Sequence, residues 1–175
     1  MTAALGRGWR ADVVTFLSSL PHNFKYRVLV ERLAVCRLAS DARIPAWALK
    51  GRFFCVVRTR DELSIVYTED ACTEDVCMED VGTKDRMPDG APVERGWVAL
   101  KLEGPFPFSM TGVLASFAQP LAEAQIPIFT ISTFDTDYVL IKRENLKQAV
   151  VALGAAGHEK VGEKVVDFGY VRIAI

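Results

Sequence analysis

Hydrophobic positions along this chain fall into short runs separated by polar breaks. Six runs have the alternation, or the β-branched and aromatic content, that is typical of strands. They are Leu33–Leu38, Phe53–Thr59, Leu63–Tyr67, Val98–Leu102, Ile126–Ser132 and Tyr138–Ile141. Two longer segments, Thr111–Ala124 and Glu144–Ala156, repeat their apolar positions at helical spacing. Pro120 lies inside the first, where it removes a backbone hydrogen bond, so we expect that helix to bend.

The order of these elements in the second half of the chain predicts the fold. From Val98 onward the pattern gives strand, helix, strand, strand and helix, and a last strand is predicted at Val165–Ile173. This order is a split βαβ plan, in which an antiparallel sheet carries helices on one face. The sequence therefore predicts an α+β protein.

The chain also repeats itself weakly. When Phe54–Asp70 is placed on Ile128–Glu144, a shift of 74 positions, Thr59 falls on Thr133 and the apolar runs coincide. Two copies of one unit of about 70 residues explain the length better than one large domain. The first copy is degenerate, because its helical slot, Ser40–Lys50, contains a proline and few periodic positions. We expect a short helix or a loop there.

The repeat places the domain boundaries. We predict an N-terminal arm or short helix at residues 1–27, a degenerate first unit at residues 28–95 and a second unit with a C-terminal strand at residues 96–175. Trp9–Leu20 has the pattern of a short amphipathic helix or a loose arm. Gly82–Gly96, rich in glycine, proline and charge, is the predicted linker between the units.

Composition excludes several kinds of partner. The formal net charge is −1, whereas nucleic-acid-binding domains usually carry a basic surplus, so we predict no nucleic-acid partner. No run approaches the roughly 18 apolar residues that span a membrane, so we predict no membrane partner. A cytoplasmic, reduced protein is the simplest expectation for its four cysteines.

The cysteines do not predict a metal site. Cys36 and Cys55 lie in apolar runs, where a free cysteine behaves as a small hydrophobic residue. Cys72 and Cys77 lack the spacing of a zinc site, and both histidines are far away in sequence. We therefore expect no metal and no cofactor.

A first candidate segment is GPFPFSMTG, Gly104–Gly112, directly before the first predicted helix. Its two glycines and two prolines exclude regular structure, and Ser109 and Thr111 are candidates for the helix N-cap. A helix start exposes free N–H groups and a partial positive charge, which suit an anion such as an α-carboxylate. The alternative is an ordinary capped helix behind a tight turn.

A second candidate segment is STFDTD, Ser132–Asp137, in the turn between two predicted strands. Asp135 and Asp137 can accept hydrogen bonds from an ammonium or guanidinium group. Thr133 can add a neutral contact and Phe134 an apolar wall, although a polar hairpin turn explains the same residues. The predicted plan brings both segments to one edge of the sheet. There they would offer donors and acceptors to the two ends of a zwitterion.

These residues resemble a known family. The run from Gly104 to His158 is similar to the ACT domains of amino-acid sensors, which include bacterial tandem ACT proteins and the cytosolic arginine sensor family. TRDELSIV, Thr59–Val66, resembles the corresponding motif of the preceding ACT repeat, and the resemblance covers Leu33–His158. It implies two ferredoxin-like ACT (βαββαβ) units side by side, with the ligand at the interface between ACT domains.

The resemblance also assigns site residues. The Thr-Phe-x-x-Asp pattern that contacts ligand in the arginine sensor falls on Thr133, Phe134 and Asp137. The family's glycine at the helix start matches Gly112, where the backbone can approach a ligand closely. The sensor has four ACT repeats and this chain has two, so we expect a homodimer to complete the site. The implied partners are an amino acid and a regulated protein target.

Two other functions are weighed against a sensor. An enzyme would need a nucleophile–base pair or a catalytic motif, and the sequence contains none that we recognise, so no catalytic residue is predicted. A protein–protein assembly module without a ligand could use the same sheet edges. Stabilisation by a ligand distinguishes a sensor from such a module.

Overall fold

The computed structural model describes residues 23–72 and 87–162. Eight strands and two α-helices lie in this part of the chain. The strands are β1 (Lys25–Val28), β2 (Leu33–Leu38), β3 (Phe54–Arg58), β4 (Leu63–Thr68), β5 (Val93–Leu102), β6 (Ile128–Ser132), β7 (Asp137–Lys142) and β8 (Glu159–Lys160). The helices are α1 (Val113–Glu123) and α2 (Leu146–Ala155). Short 3₁₀ turns cover Ala46–Leu49, Glu69–Cys72 and Arg143–Asn145.

All eight strands form one sheet that is organised around β5. β2 and β1 pair with successive parts of one edge of β5, and β7 pairs with the other edge. Trp97 therefore lies opposite Leu33 on one side and Lys142 on the other. β4 and β3 continue the sheet beyond β2, β6 continues it beyond β7, and β8 lies parallel to β1.

The internal repeat is confirmed in three dimensions. β6 and β7 lie 74 positions after β3 and β4, with the same lengths at each position. The pairing register repeats as well, since Phe54 pairs with Tyr67 and Ile128 pairs with Ile141. The fold is therefore α+β, with two ferredoxin-like units side by side. Among the described strands, every pair is antiparallel except β1 with β8. The domain boundaries themselves stay a prediction.

The predicted elements form with shifted ends. Both helices and all six strands are present, but β5 begins at Val93 and so takes in the last residues of the predicted linker. Ser40–Lys50 contains only a 3₁₀ turn, as its proline predicts. Lys25–Arg27, assigned to an arm, instead forms most of β1, and β8 was not predicted. Trp9–Leu20 and Val165–Ile173 lie outside the described residues.

Each unit buries its own core on the same side of its strands. In the second unit both helices cover Val98, Leu100 and Leu102, which alternate along β5, and Phe117 of α1 is fully buried among them. The first unit has a tryptophan in place of a helix: Trp47, in the first 3₁₀ turn, packs edge-on against Tyr67 at 4.9 Å between ring centroids. A single large aromatic side chain thus covers apolar surface that a helix covers in the second unit.

The opposite face of the sheet joins the units. Leu33 and Val66 of the first unit belong to one buried cluster with Trp97, Ala99 and Leu140 of the second. This shared cluster ties the two units together on the face that the helices leave open.

His158 replaces a backbone hydrogen bond that Pro120 removes from α1. Pro120 has no N–H to donate to the carbonyl of Ser116, one helical turn earlier. The Nε2 atom of His158 lies 3.0 Å from that carbonyl oxygen, and its Nδ1 accepts a hydrogen bond of 3.4 Å from the backbone N–H of Phe24. The ring is 5% exposed and stacks on Phe117 at 4.1 Å. His158 therefore satisfies a buried carbonyl that the proline leaves without its helical donor.

Replacing His158 by alanine should destabilise the protein. The change removes the donor to Ser116 and the acceptor for Phe24 and leaves a cavity beside Phe117. We expect a loss of about 2–4 kcal/mol in the free energy of unfolding, measured by urea denaturation. Glu159→Ala is the control, because its pair with Lys25 is exposed and contributes little. A loss no larger than that of the control would contradict this role of His158.

Candidate functional site

A cleft of about 350 Å³ lies where β5 leaves the sheet. One wall is the loop after Leu102 together with the first turn of α1, from Gly112 to Ala115. The other wall is the turn between β6 and β7, Ser132–Asp137. The two candidate segments that the sequence singles out therefore meet here.

Hydrogen bonds hold the β6–β7 turn in place. Thr133 closes the turn, because its backbone N–H and its hydroxyl both donate to the carbonyl of Thr136, at 2.8 and 2.9 Å. The buried hydroxyl of Thr136 donates to the carbonyl of Leu102 at 2.7 Å. The carbonyl of Asp135 accepts from the N–H of Phe106 at 2.8 Å. The turn is thus fixed to both β5 and the loop that follows it.

The first unit has the same turn. There the N–H of Thr59 donates to the carbonyl of Glu62 at 2.9 Å, and the N–H of Glu62 donates to the Thr59 hydroxyl at 3.1 Å. Thr59 and Thr133 are equivalent by the repeat, so the threonine at this position is explained by turn formation in both units. A ligand contact by Thr133 would be an additional role.

Gly104 allows the two walls to approach. A Cβ atom at this position would lie 2.4 Å from the carbonyl oxygen of Asp135. Only glycine avoids this contact without moving the turn.

The start of α1 differs from the prediction. Its N-cap is Gly112, with φ of 82°, and no side chain caps the helix. Ser109 and Thr111, predicted as capping and ligand residues, are both exposed, and neither lines the cleft. Glycine is favoured at the cap because a left-handed φ costs other residues roughly 1–2 kcal/mol. The first turn of α1 lines the cleft and contains no acidic residue, so its N–H groups have no carboxylate acceptor within that turn.

Two carboxylates stand across the cleft from the helix start. Asp137 is half-buried and accepts a hydrogen bond of 2.5 Å from the hydroxyl of Ser132, which fixes its orientation. Asp135 is exposed, and its carboxylate makes no hydrogen bond or ion pair with another described residue. None of the described residues that line the cleft is a lysine or an arginine. The cleft therefore offers negative charge on one wall and backbone donors on the other.

An aromatic rim borders the cleft. Phe134 is 78% exposed, and it packs edge-on against Phe108, which is 80% exposed, with 5.1 Å between ring centroids. Met110, 41% exposed, adds to this apolar patch. Sequence reasoning included Phe134 but missed Phe108. Alternating Pro and Phe before a helix start was the available signal.

Five of the seven predicted ligand residues line the cleft: Gly112, Thr133, Phe134, Asp135 and Asp137.

Outside the cleft, burial raises the pKa of the Cys36 thiol to about 11 and also raises the pKa of the Cys55 thiol. Such thiols are poor nucleophiles at neutral pH. Within residues 23–72 and 87–162, no helix has the length and apolar character needed to cross a membrane, and no group of three potential ligands is placed to hold a metal.

Comparisons with known proteins agree with this architecture. A family model for the ACT domain matches residues 93–155, and a model for the N-terminal domain of another family matches residues 31–75. A protein from Agobacterium tumefaciens, known from an X-ray crystal structure, is 35% identical. The match covers 81% of this chain and 94% of that protein, with a TM-score of 0.67.

More distant structures share the fold alone. The regulatory subunit of aspartate kinase from Thermus thermophilus is 15% identical, over 75% of this chain and 96% of that one, with a TM-score of 0.53. The aspartate kinase of Clostridium acetobutylicum is 13% identical, with a TM-score of 0.52, over 72% of this chain and 33% of the enzyme.

The fold and the cleft define a pair of ferredoxin-like units, the second of which carries the cleft. The family model over residues 93–155 identifies this second unit as an ACT domain, and with the structural repeat the chain is a tandem ACT protein.

The approach of the two walls can be tested by Gly104→Ala. Because the new Cβ would meet the Asp135 carbonyl, the turn must shift, and we expect a loss of about 1–3 kcal/mol in the free energy of unfolding. Gly154→Ala, in α2, is the matched control: nothing lies within 4 Å of its Cβ position, so it should stabilise the helix by about 0.5–1 kcal/mol. Equal effects of the two substitutions in urea denaturation would refute the steric argument.

Proposed function

We propose that this protein is a non-catalytic regulatory protein that binds a free amino acid in the cleft between α1 and the β6–β7 turn. One observation carries the proposal: a helix start without a side-chain cap lies across a cleft of about 350 Å³ from two carboxylates. The volume falls within the range of small-molecule sites, about 300–1,000 Å³.

The two ends of an amino acid match the two walls. Its α-carboxylate would accept hydrogen bonds from the free N–H groups in the first turn of α1, where the helix dipole favours negative charge. Gly112 brings the backbone close, since it has no side chain. Asp137, held by Ser132, would accept from the ammonium group, or from a cationic side chain, and Asp135 would add negative charge.

The aromatic rim supports a homodimer in which a second copy covers the cleft. Phe108 and Phe134 together expose apolar surface that water solvates poorly, at the mouth of the proposed site. A ligand held between ACT domains of two chains would be enclosed there. A regulated target protein and a cytoplasmic location stay predictions from the sequence.

Binding can be measured by thermal shift against the twenty amino acids, followed by calorimetry with the best one. A ligand at about 100 times its Kd should add about 2.7 kcal/mol of stability. Asp137→Asn keeps the hydrogen bond with Ser132 and removes the charge, so we expect affinity to fall at least about tenfold. Asp61→Asn, in the equivalent turn of the first unit, should bind as the wild type does. No stabilisation by any amino acid, in a folded sample, would favour the assembly module instead.

The dimer has its own test. Light scattering coupled to size exclusion should show a dimer whose population falls in Phe108→Ser, because that change removes apolar surface from the rim. Val151→Ser is the control: Val151 is 72% exposed, but it lies on α2 and does not line the cleft. A dimer equally stable in both variants would place the interface elsewhere.

A further inference from the structure

A second cavity, of about 320 Å³, lies away from the cleft and shares no lining residue with it. Three segments form most of it: β1 with the link to β2 that follows it, the exit of β7 into α2, and the end of β8. Val98 of β5 completes the lining and contributes apolar surface together with Leu146 and Val161.

Cationic side chains line this cavity. Arg32, Arg143 and Lys160 come from the three segments, and none of their side chains makes an ion pair or a hydrogen bond with another described residue. Arg27 also lines the cavity, but its guanidinium is occupied by two hydrogen bonds to Glu103, of 2.5 and 2.6 Å. Glu31 is the one carboxylate in the described lining.

The charges are therefore unbalanced. Three unpaired cations and one carboxylate leave two net positive charges around a small volume. Like charges held close together repel each other, and an anion bound among them would remove that repulsion. Guanidinium groups also match the geometry of phosphate oxygens, with which they form paired hydrogen bonds.

We propose that this cavity binds a small phosphate monoester with an apolar body. Its two negative charges match the two net positive charges of the lining, and its apolar body matches the surface of Val98, Leu146 and Val161. The ligand class differs from that of the cleft, whose two carboxylates would repel a phosphate. The inference thus adds a second ligand to the function proposed above and does not depend on it.

Phenyl phosphate is the probe, titrated by calorimetry at constant ionic strength. The double variant Arg143→Gln with Lys160→Gln removes two cations and should weaken binding about a hundredfold, roughly tenfold for each lost charge-assisted contact. Lys147→Gln changes the net charge on α2 outside the cavity and should leave affinity within about twofold. Phenol, which lacks the phosphate, should not bind.

Further variants separate this site from the cleft and from folding effects. Asp137→Asn should bind phenyl phosphate as the wild type does, whatever its effect on amino acids. If circular dichroism shows the double variant unfolded, Arg32→Gln, on the exposed link, takes its place with an expected loss of about tenfold. The proposal is overturned if the folded wild type does not bind phenyl phosphate at millimolar concentration. It is also overturned if Lys147→Gln weakens binding as much as the cavity variants do.

Discussion

The structure depends on β5 forming hydrogen bonds along both of its edges. This strand is ten residues long, which lets it pair with β1 and β2 in succession on one side while β7 occupies the other. Alternation along the strand then sends Val98, Leu100 and Leu102 to the helices, and Trp97 and Ala99 to the cluster shared by the two units. One strand therefore sets both the inner core of the second unit and its attachment to the first.

The same strand positions the candidate site. Where β5 ends, the Leu102 carbonyl accepts from Thr136, and the loop that follows contacts the turn at Asp135. The cleft is thus built from backbone groups whose spacing is fixed by the sheet, and Gly104 permits that spacing. Preorganisation of this kind lowers the entropy lost when a ligand binds.

Periodic patterns predicted the elements, because long-range packing of a half-buried strand or helix leaves a local signature. β1 has no such local signature, because it is four residues long and two of these residues are cationic. It forms because it pairs with β5, which is far away in the sequence. The helix cap was assigned to Ser109 or Thr111 by the usual side-chain preference. Gly112 is the N-cap instead, because the backbone has a left-handed conformation there, which favours glycine. The path of the backbone into the helix therefore determines the cap residue, and side-chain preference alone does not predict it.

The repeat shows how residues of one type can serve different ends. Thr59 and Thr133 close identical turns, yet only the second lies opposite a helix start, because the first unit has a 3₁₀ turn in that place. The sequence motif at the turn is therefore informative about function only in combination with the element across from it. This is why the two candidate segments carried more meaning together than either carried alone.

The exchange of hydrogen-bond donors at α1 has an evolutionary consequence. Pro120 and His158 are far apart in the chain, but the histidine is useful to Ser116 because the proline is there. A relative with any other residue at position 120 would have a backbone N–H for that carbonyl and would lose one reason to keep the histidine. The two positions should therefore vary together across relatives, as a correlated pair that marks this helix.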